Sequence, residues 1–333
     1  IVAEGFDPET IFYPEYPQGG ISYADFMESI EDAESDDLRN LLRHANNAEY
    51  DIIYIDWVNG VGDIRKNAET LEKVIAWVNT KKQQAGSTNE NVLMGQSMGG
   101  LVSKYALVKM EQKGNNHQVG LFIAHDSPFR GANVTPSSQF MMRHLLGLYA
   151  SNPLAVTFGE ILVPFIASFQ DVDEDNSDLN GLESYISPLA ALTIQDTPAA
   201  LQMNNYYVAL NSQPSKFFHN QWQTEFDNIG YPQNSRNVAI SNGNMCALEQ
   251  GFTAGDFLLN IKHEDASKAF FKTLLRDFMI GLWGAGSGNL PLAFLSSLPG
   301  ESKIRYDFEV KTTPETNNGN RHVYRGIIKY DKK

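Results

Sequence analysis

The sequence predicts an α/β protein: a mostly parallel sheet with helices on both faces, a helical insertion, and an antiparallel ribbon at the C-terminal end. Three observations predict it. Short continuous apolar runs alternate with helix-period segments through the first 125 residues, the rhythm disappears over 130–235, and two strand-like runs separated by a polar, glycine-containing stretch end the chain. Continuous apolar strands suit a sheet covered on both faces, because each side chain meets a packed layer whichever way it points.

The strands come first. Ile1-Val2-Ala3 is one buried strand, Asp51 to Trp57 a second through Ile52, Ile53, Tyr54 and Ile55, Asn91 to Met94 a third, and Val119 to Ala124 a fourth through Leu121, Phe122 and Ile123. Between the second and third, Ile64, Ala68, Leu71, Ile75 and Val78 recur at helical spacing behind Asp63, an N-capping residue type. From 130 to 235 no comparable strand occurs; the apolar stretches Phe140 to Ala150 and Leu154 to Phe169 and a helical stretch from Pro198 to Leu210 stand instead. This reads as a helical cap, the layer such enzymes set over a site, with ordinary core helices as the competing reading. The strand rhythm resumes at Asn237 to Ser241. The division expected is therefore a core over 1–129, an insertion over 130–235 and a second part of the core over 236–333. Ile304, Tyr306, Phe308 and Val310 alternate with charged residues, and a run from Val323 to Tyr330 follows, so a two-stranded ribbon is expected there.

Composition excludes whole classes. With 333 residues, 42% hydrophobic and 11% aromatic, the chain is globular and large enough for one domain carrying an insertion. Lys and Arg number 26 against 40 Asp and Glu, a net charge of -14, so neither nucleic acid nor an anionic membrane is a bulk electrostatic partner. Cys246 is the single cysteine, which rules out an internal disulfide. The longest apolar stretch, Leu154 to Phe169, is broken by Gly159, Glu160 and Pro164, so stable membrane insertion is not expected. The sequence opens at Ile1 already inside a strand-like run, and upstream processing or truncation is the expectation.

Gly95-Gln96-Ser97-Met98-Gly99-Gly100 is the segment that carries chemistry. It lies between an apolar strand and a helical pattern of Leu101, Val102, Tyr105, Ala106 and Val108. A serine on such a turn presents its hydroxyl above the sheet, and glycines at 95, 99 and 100 remove side chains that would strike the neighbouring strand and helix. The first N–H groups of the helix and its positive dipole end converge where an oxyanion would form. A glycine-rich connection with a solvent-facing serine is the plainer alternative.

Together with an opening strand ending Glu4-Gly5-Phe6 and the segment Asp126-Ser127-Pro128-Phe129-Arg130-Gly131-Ala132 after the fourth strand, this elbow resembles the lipase-type α/β-hydrolases. It is particularly similar to secreted Bacteroidetes-type esterase-like hydrolases. The similarity spans Ile1 to Ala132 and, more loosely, the strand at Asn237 with Asn242-Gly243-Asn244. It implies an α/β-hydrolase fold and a serine carboxylic-ester hydrolase, with an extracellular or periplasmic location and no cofactor. Ser97 would be the nucleophile, and the backbone N–H groups of Met98 and Phe6 would form the oxyanion hole. An acyltransferase or amidase uses the same nucleophile, and a non-catalytic binding module would keep the elbow without its base.

The family's late acid loop has no counterpart after Ser97, and Glu4 stands where the family has the histidine of a His-Gly pair. Asp256, after the last parallel strand, is the candidate acid, with a helix N-cap as its competing role. His322 is the candidate base; His263, in a polar stretch read as helical, is the other histidine after that strand, and acid and base beyond Lys333 are a third option. His125 and Asp126 are adjacent and on an extended chain would point to opposite sides. His44, His117, His144 and His219 read as surface or cap residues. Asp171, Asp173 and Asp175 offer the alternating carboxylates that suit Ca²⁺, against a solvated acidic loop. Apolar residues through 140–169 predict a lipid-like or long-chain ester as substrate, and no Cys/His cluster suggests zinc.

Overall fold

The structure, a computed structural model, describes residues 1–8, 23–31, 51–151, 194–209, 212–241, 251–265, 290–298, 302–312 and 323–332. It contains a five-stranded parallel sheet flanked by helices and a separate three-stranded antiparallel sheet. They fall in two compact units. The first comprises Ile1–Asn133, Ile194–Asn205 and Lys216–Ala247; the second comprises Val134–Thr193, Tyr206–Ser215 and Leu248–Lys333.

In the first unit the strands are β1 (Val2–Ala3), β2 (Tyr54–Ile55), β3 (Asn91–Gln96), β4 (Val119–His125) and β5 (Arg236–Ile240), in spatial order β2-β1-β3-β4-β5. Helix α1 (Tyr23–Glu31) sets Phe26 against Tyr54, ring centroids 4.9 Å apart. Helix α2 (Ile64–Gln84) begins where Asp63 caps it, its carboxylate accepting the Arg65 N–H at 2.8 Å. Its buried stripe, Ile64, Ala68, Leu71, Ile75 and Val78, is the one the sequence spacing identifies, and it packs toward helix α3 (Met98–Gln112).

Helix α3 is buried on nearly every side from Met98 to Val108, and Lys104 goes in with it. The ammonium donates to the Phe226 carbonyl at 2.8 Å, near the end of helix α6 (Phe217–Asn228), and lies 3.6 Å from the centroid of Phe226 and 4.4 Å from that of Tyr231. A cation suits the negative end of a helix dipole and the faces of aromatic rings. Helix α5 (Pro198–Met203) docks on α2: Gln202 accepts the Ile64 N–H at 2.9 Å, and the Ala199 N–H reaches Val61. Glu225 of α6 binds Arg65 at 2.6 Å and the Tyr105 hydroxyl at 2.6 Å, joining α2, α3 and α6.

In the second unit, β6 (Phe257–Asp265), β7 (Ser302–Lys311) and β8 (Tyr324–Lys332) form an antiparallel sheet, against which helix α4 (Pro136–Ser151) packs. His144 Nδ1 and the Tyr324 hydroxyl meet at 2.7 Å, and burial lowers the pKa of His144. A side chain at Gly326 would strike both. Helix α7 (Leu290–Ser297) completes the described elements.

The expected two-stranded ribbon therefore has a third strand. His263, read from its polar neighbours as helical, lies in β6 in register with Tyr306. The charges of Lys262, Glu264 and Asp265 look helical in isolation, but β6 is stabilised by a partner 40 residues away: Glu264 pairs with Lys303 at 2.7 Å and Arg305 at 2.8 Å across the strands. Asp256 begins no helix; its carboxylate accepts the Thr253 N–H at 2.6 Å in the turn before β6. The stretch Leu154 to Phe169, the carboxylates Asp171, Asp173 and Asp175, and the residues His44, Cys246 and His322 lie outside the described residues.

Burial lowers the pKa of the Lys104 amine to about 8, against the opposing pull of Asp227. The folded chain thus holds this proton more weakly than the unfolded chain, whose lysines titrate near 10.5, and the contribution of this group to stability rises from about pH 8 toward pH 10. Urea denaturation should show wild type gaining stability relative to Lys104→Met over that interval; curves that stay parallel would contradict the burial of a charged amine.

Candidate active site

Ser97 joins β3 to α3 with φ 50° and ψ -119°, a left-handed backbone that a serine adopts only under constraint. The constraint is visible on both sides of it. Its N–H donates to the His125 carbonyl at 2.8 Å, tying the turn to the end of β4, and its carbonyl accepts the Gly100 N–H at 3.1 Å, closing the first turn of α3. The N–H groups of Met98 and Gly99 precede the intrahelical ladder and are directed out of the helix end. Ser97 makes no side-chain cap to α3, so its hydroxyl is not committed to the helix.

Each glycine of the elbow has a steric reason. A Cβ on Gly95 would run into the backbone of Gly99 and Gly100, and one on Gly99 into the carbonyls of Ala3 and Glu4. On Gly100 it would strike Ser127, whose hydroxyl donates to the His125 carbonyl at 3.3 Å. The backbones of β1, β3 and α3 therefore touch directly.

Gly5 faces the serine. Its own Cβ, if present, would sit 3.2 Å from the Ser97 Cβ and 3.9 Å from the hydroxyl oxygen. Hydrogen bonds pin the chain on both sides of Gly5-Phe6: Glu4 N–H to the Ile55 carbonyl and Asp7 N–H to the Gly60 carbonyl, each at 3.2 Å. Among the described residues no backbone acceptor engages the Phe6 N–H. Because β1 connects outward to β2 on one side while β3, β4 and β5 follow on the other, Ser97 and Gly5 flank the point where strand order reverses, the place where parallel α/β sheets bind ligands.

One residue before Gly5 stands a carboxyl that the sequence marks only as a departure from the family's His-Gly pair. Glu4 is 5% exposed, accepts the Trp57 N–H at 3.2 Å and the Tyr54 hydroxyl at 3.3 Å, and its carbonyl accepts the Trp57 indole N–H at 3.0 Å. Burial raises its pKa to about 7, the bond from Trp57 opposes, and the nearby charges of Asp7 and Asp56 raise it further. Carboxylate oxygens of Glu4, Asp7 and Asp56 lie within 4.8 Å of one another, and both Glu4 oxygens are taken up by hydrogen bonds from Tyr54 and Trp57. The signal available in the sequence was an acidic residue closing a buried strand where a helix-packed sheet calls for an apolar one.

His125 ends β4 in register with Gln96, and its buried Nδ1 has no hydrogen-bond partner among the described residues. Asp126 turns the chain immediately afterwards, with φ 46° and its N–H on the Ile240 carbonyl at 2.7 Å. Two other histidines are interior rather than on the surface. His117 accepts the Val119 N–H at 2.9 Å and meets Glu111 at 3.1 Å, and His219 contacts the Gln202 carbonyl at 3.0 Å. Polar neighbours such as Asn115 and Asn116 disguise His117 in the sequence. Asp256 belongs to the second unit and Ser97 to the first. No protein-family model matches this chain, and no curated protein matches it.

Gly99→Ala tests the direct backbone contact. The added methyl has only main-chain carbonyls to displace, so urea unfolding should report a loss of about 1–3 kcal/mol, the ordinary cost of overpacking a core. Wild-type stability in this variant would show that β1 and α3 can separate freely.

Proposed function

We propose that this chain is a serine carboxylic-ester hydrolase of lipase or esterase type, built on an α/β-hydrolase fold. The observation that carries the reading is the backbone of Ser97: a non-glycine residue held at φ 50° between a central strand of the sheet and a helix N-terminus, with glycine on the facing loop. Left-handed strain at a non-glycine residue persists where surrounding contacts fix it, and such positions cluster at reactive sites. Supporting it, the turn lies beside the reversal of strand order, where parallel α/β sheets commonly bind ligands.

In this mechanism the Ser97 hydroxyl attacks the ester carbonyl while a histidine accepts its proton. The C–O bond to the alcohol breaks as that proton passes to the leaving oxygen, leaving an acyl group on Ser97, and water then repeats the sequence to release the acid. The N–H groups of Met98 and Phe6 stabilise the oxyanion in both halves. The base is assigned to His322 and the acid to Asp256 on chain order, Ser, acid, His. A lipid-like ester is the substrate class proposed, from the apolar composition of 140–169.

A fluorophosphonate probe and p-nitrophenyl butyrate give the direct test. Wild type should label at Ser97 and turn over, Ser97→Ala should fold normally and do neither, and His322→Ala should lose turnover about as severely because triad members act as a unit. Labelling elsewhere, or undiminished hydrolysis by Ser97→Ala, would refute the assignment.

A further inference from the structure

We infer that Glu4 is a positioning residue for the ester-hydrolase site: its buried side chain clamps the Glu4–Asp7 loop to the end of β2 and so holds Gly5 and Phe6 against Ser97. The inference rests on the serine-hydrolase reading of Ser97. It begins from the number of bonds converging on one residue. Glu4 engages the β2 end with its N–H on Ile55, its carbonyl on the Trp57 indole, one carboxyl oxygen on the Trp57 N–H and the other on the Tyr54 hydroxyl. The next residue, Gly5, is the one that approaches Ser97, and the one after it supplies the Phe6 N–H.

The clamp works against a cost that identifies its active form. A carboxylate buried beside two other carboxyls is expensive, and the neutral acid is far less so. The titratable groups acting on Glu4 are Asp7 from its own loop and Tyr54 and Asp56 from the β2 end; none of them is a cation. Protonated, Glu4 keeps an oxygen on the Trp57 N–H and satisfies Tyr54 without adding negative charge. Ionised, it places a third carboxylate within 4.8 Å of Asp7 and Asp56, one residue from Gly5. Repulsion there loosens the loop on which the second oxyanion donor stands, while Ser97 itself, held by β3, β4 and α3, stays in place.

This is not a requirement for a carboxyl as such. A glutamine would present an oxygen to the Trp57 N–H and an amide to the Tyr54 hydroxyl, with no charge at any pH, and so mimics the protonated acid. An alanine would leave the Trp57 N–H and the Tyr54 hydroxyl without their partner.

The linkage sign follows from the raised pKa. Glu4 binds its proton more tightly folded than unfolded, so its contribution to stability is full below about pH 4.5 and is lost as pH rises through about 7.

The experiment compares wild type, Glu4→Gln and Glu4→Ala for fluorophosphonate labelling of Ser97 and for kcat and KM from pH 5.5 to 9, with the Trp57 indole N–H followed by ¹⁵N NMR. The ratio of Glu4→Gln to wild-type kcat cancels the titration of the histidine base. Expected are near-equal kcat at pH 5.5 and a ratio that climbs through pH 7. Glu4→Ala should lose on the order of 10²-fold in kcat, the worth of one oxyanion donor, at little change in KM. The wild-type indole resonance should titrate near pH 7 and that of Glu4→Gln should not. If Glu4→Ala fails to fold, the Glu4→Gln ratio and the indole titration decide. A labelled, active wild type with a flat ratio and an untitrated indole overturns the role of Glu4 alone; an unlabelled, inactive wild type overturns the serine-hydrolase reading and this role with it.

Discussion

The first unit depends on one close approach, the packing of main chain on main chain where β1, β3 and α3 meet. Gly99 lies directly against the Ala3 and Glu4 carbonyls, and Gly95 against the first turn of α3. Separation by even one methyl group would lift the helix from the sheet and release the turn at Ser97, whose φ of 50° exists only because the His125 carbonyl and the first turn of α3 hold it from opposite sides. Strained backbone of this kind costs on the order of 1–3 kcal/mol and must be offset by its surroundings. The surroundings here are the core itself, since Ala3, Leu93, Met98, Leu101 and Phe122 are all fully buried around it.

The same region shows how polar groups are admitted to a core. Lys104 enters along α3 and finds a helix C-terminal carbonyl and two aromatic faces; Glu225 finds Arg65 and Tyr105. Glu225 is held ionised by its partners, whereas the partners of Lys104 offset only part of its desolvation. Glu4 differs. Its neighbours are a neutral N–H, a phenol and two more carboxyls, so its environment favours the uncharged acid, and its pKa rises while that of the partly exposed Glu225 falls. The shifts run in opposite directions because desolvation dominates at Glu4, whereas Glu225, the more exposed of the two, is bonded to the Arg65 guanidinium and the Tyr105 hydroxyl.

What the sequence made legible follows from how local each cause is. Strands β1 to β5 and helix α2 were readable because their patterns are periodic within a dozen residues, and the glycines of the elbow because a tight turn imposes residue types at fixed spacing. The third strand of the antiparallel sheet was not. Phe257 to Asp265 has no clean alternation, and it is strand because β7 arrives alongside it from a distant segment, with Arg305 opposite Glu264. Glu4 was visible only as a departure from a family pattern. Its meaning lies in Tyr54, Asp56 and Trp57, some 50 residues away in sequence and adjacent only once β1 and β2 pair.

The position of Glu4 also bears on the oxyanion hole proposed for Ser97. An oxyanion hole works by being in place before the charge develops, so its donors must be rigid in the resting protein. Met98 is rigid because it begins α3, which is anchored through most of its length. Phe6 has no such element; it lies in a loop past a strand of two residues, and an unassisted loop of that kind would sample many conformations. Rigidity there has to come from side-chain hydrogen bonds, and the Glu4 carboxyl supplies two, from the Trp57 N–H and the Tyr54 hydroxyl. A histidine at this position, as in the lipase-type pattern, would bring a donor that is charged at low pH. The acid reverses that dependence, remaining neutral on the acidic side and gaining charge as pH rises; under the role proposed for Glu4, that charge is what would loosen the loop beside Ser97.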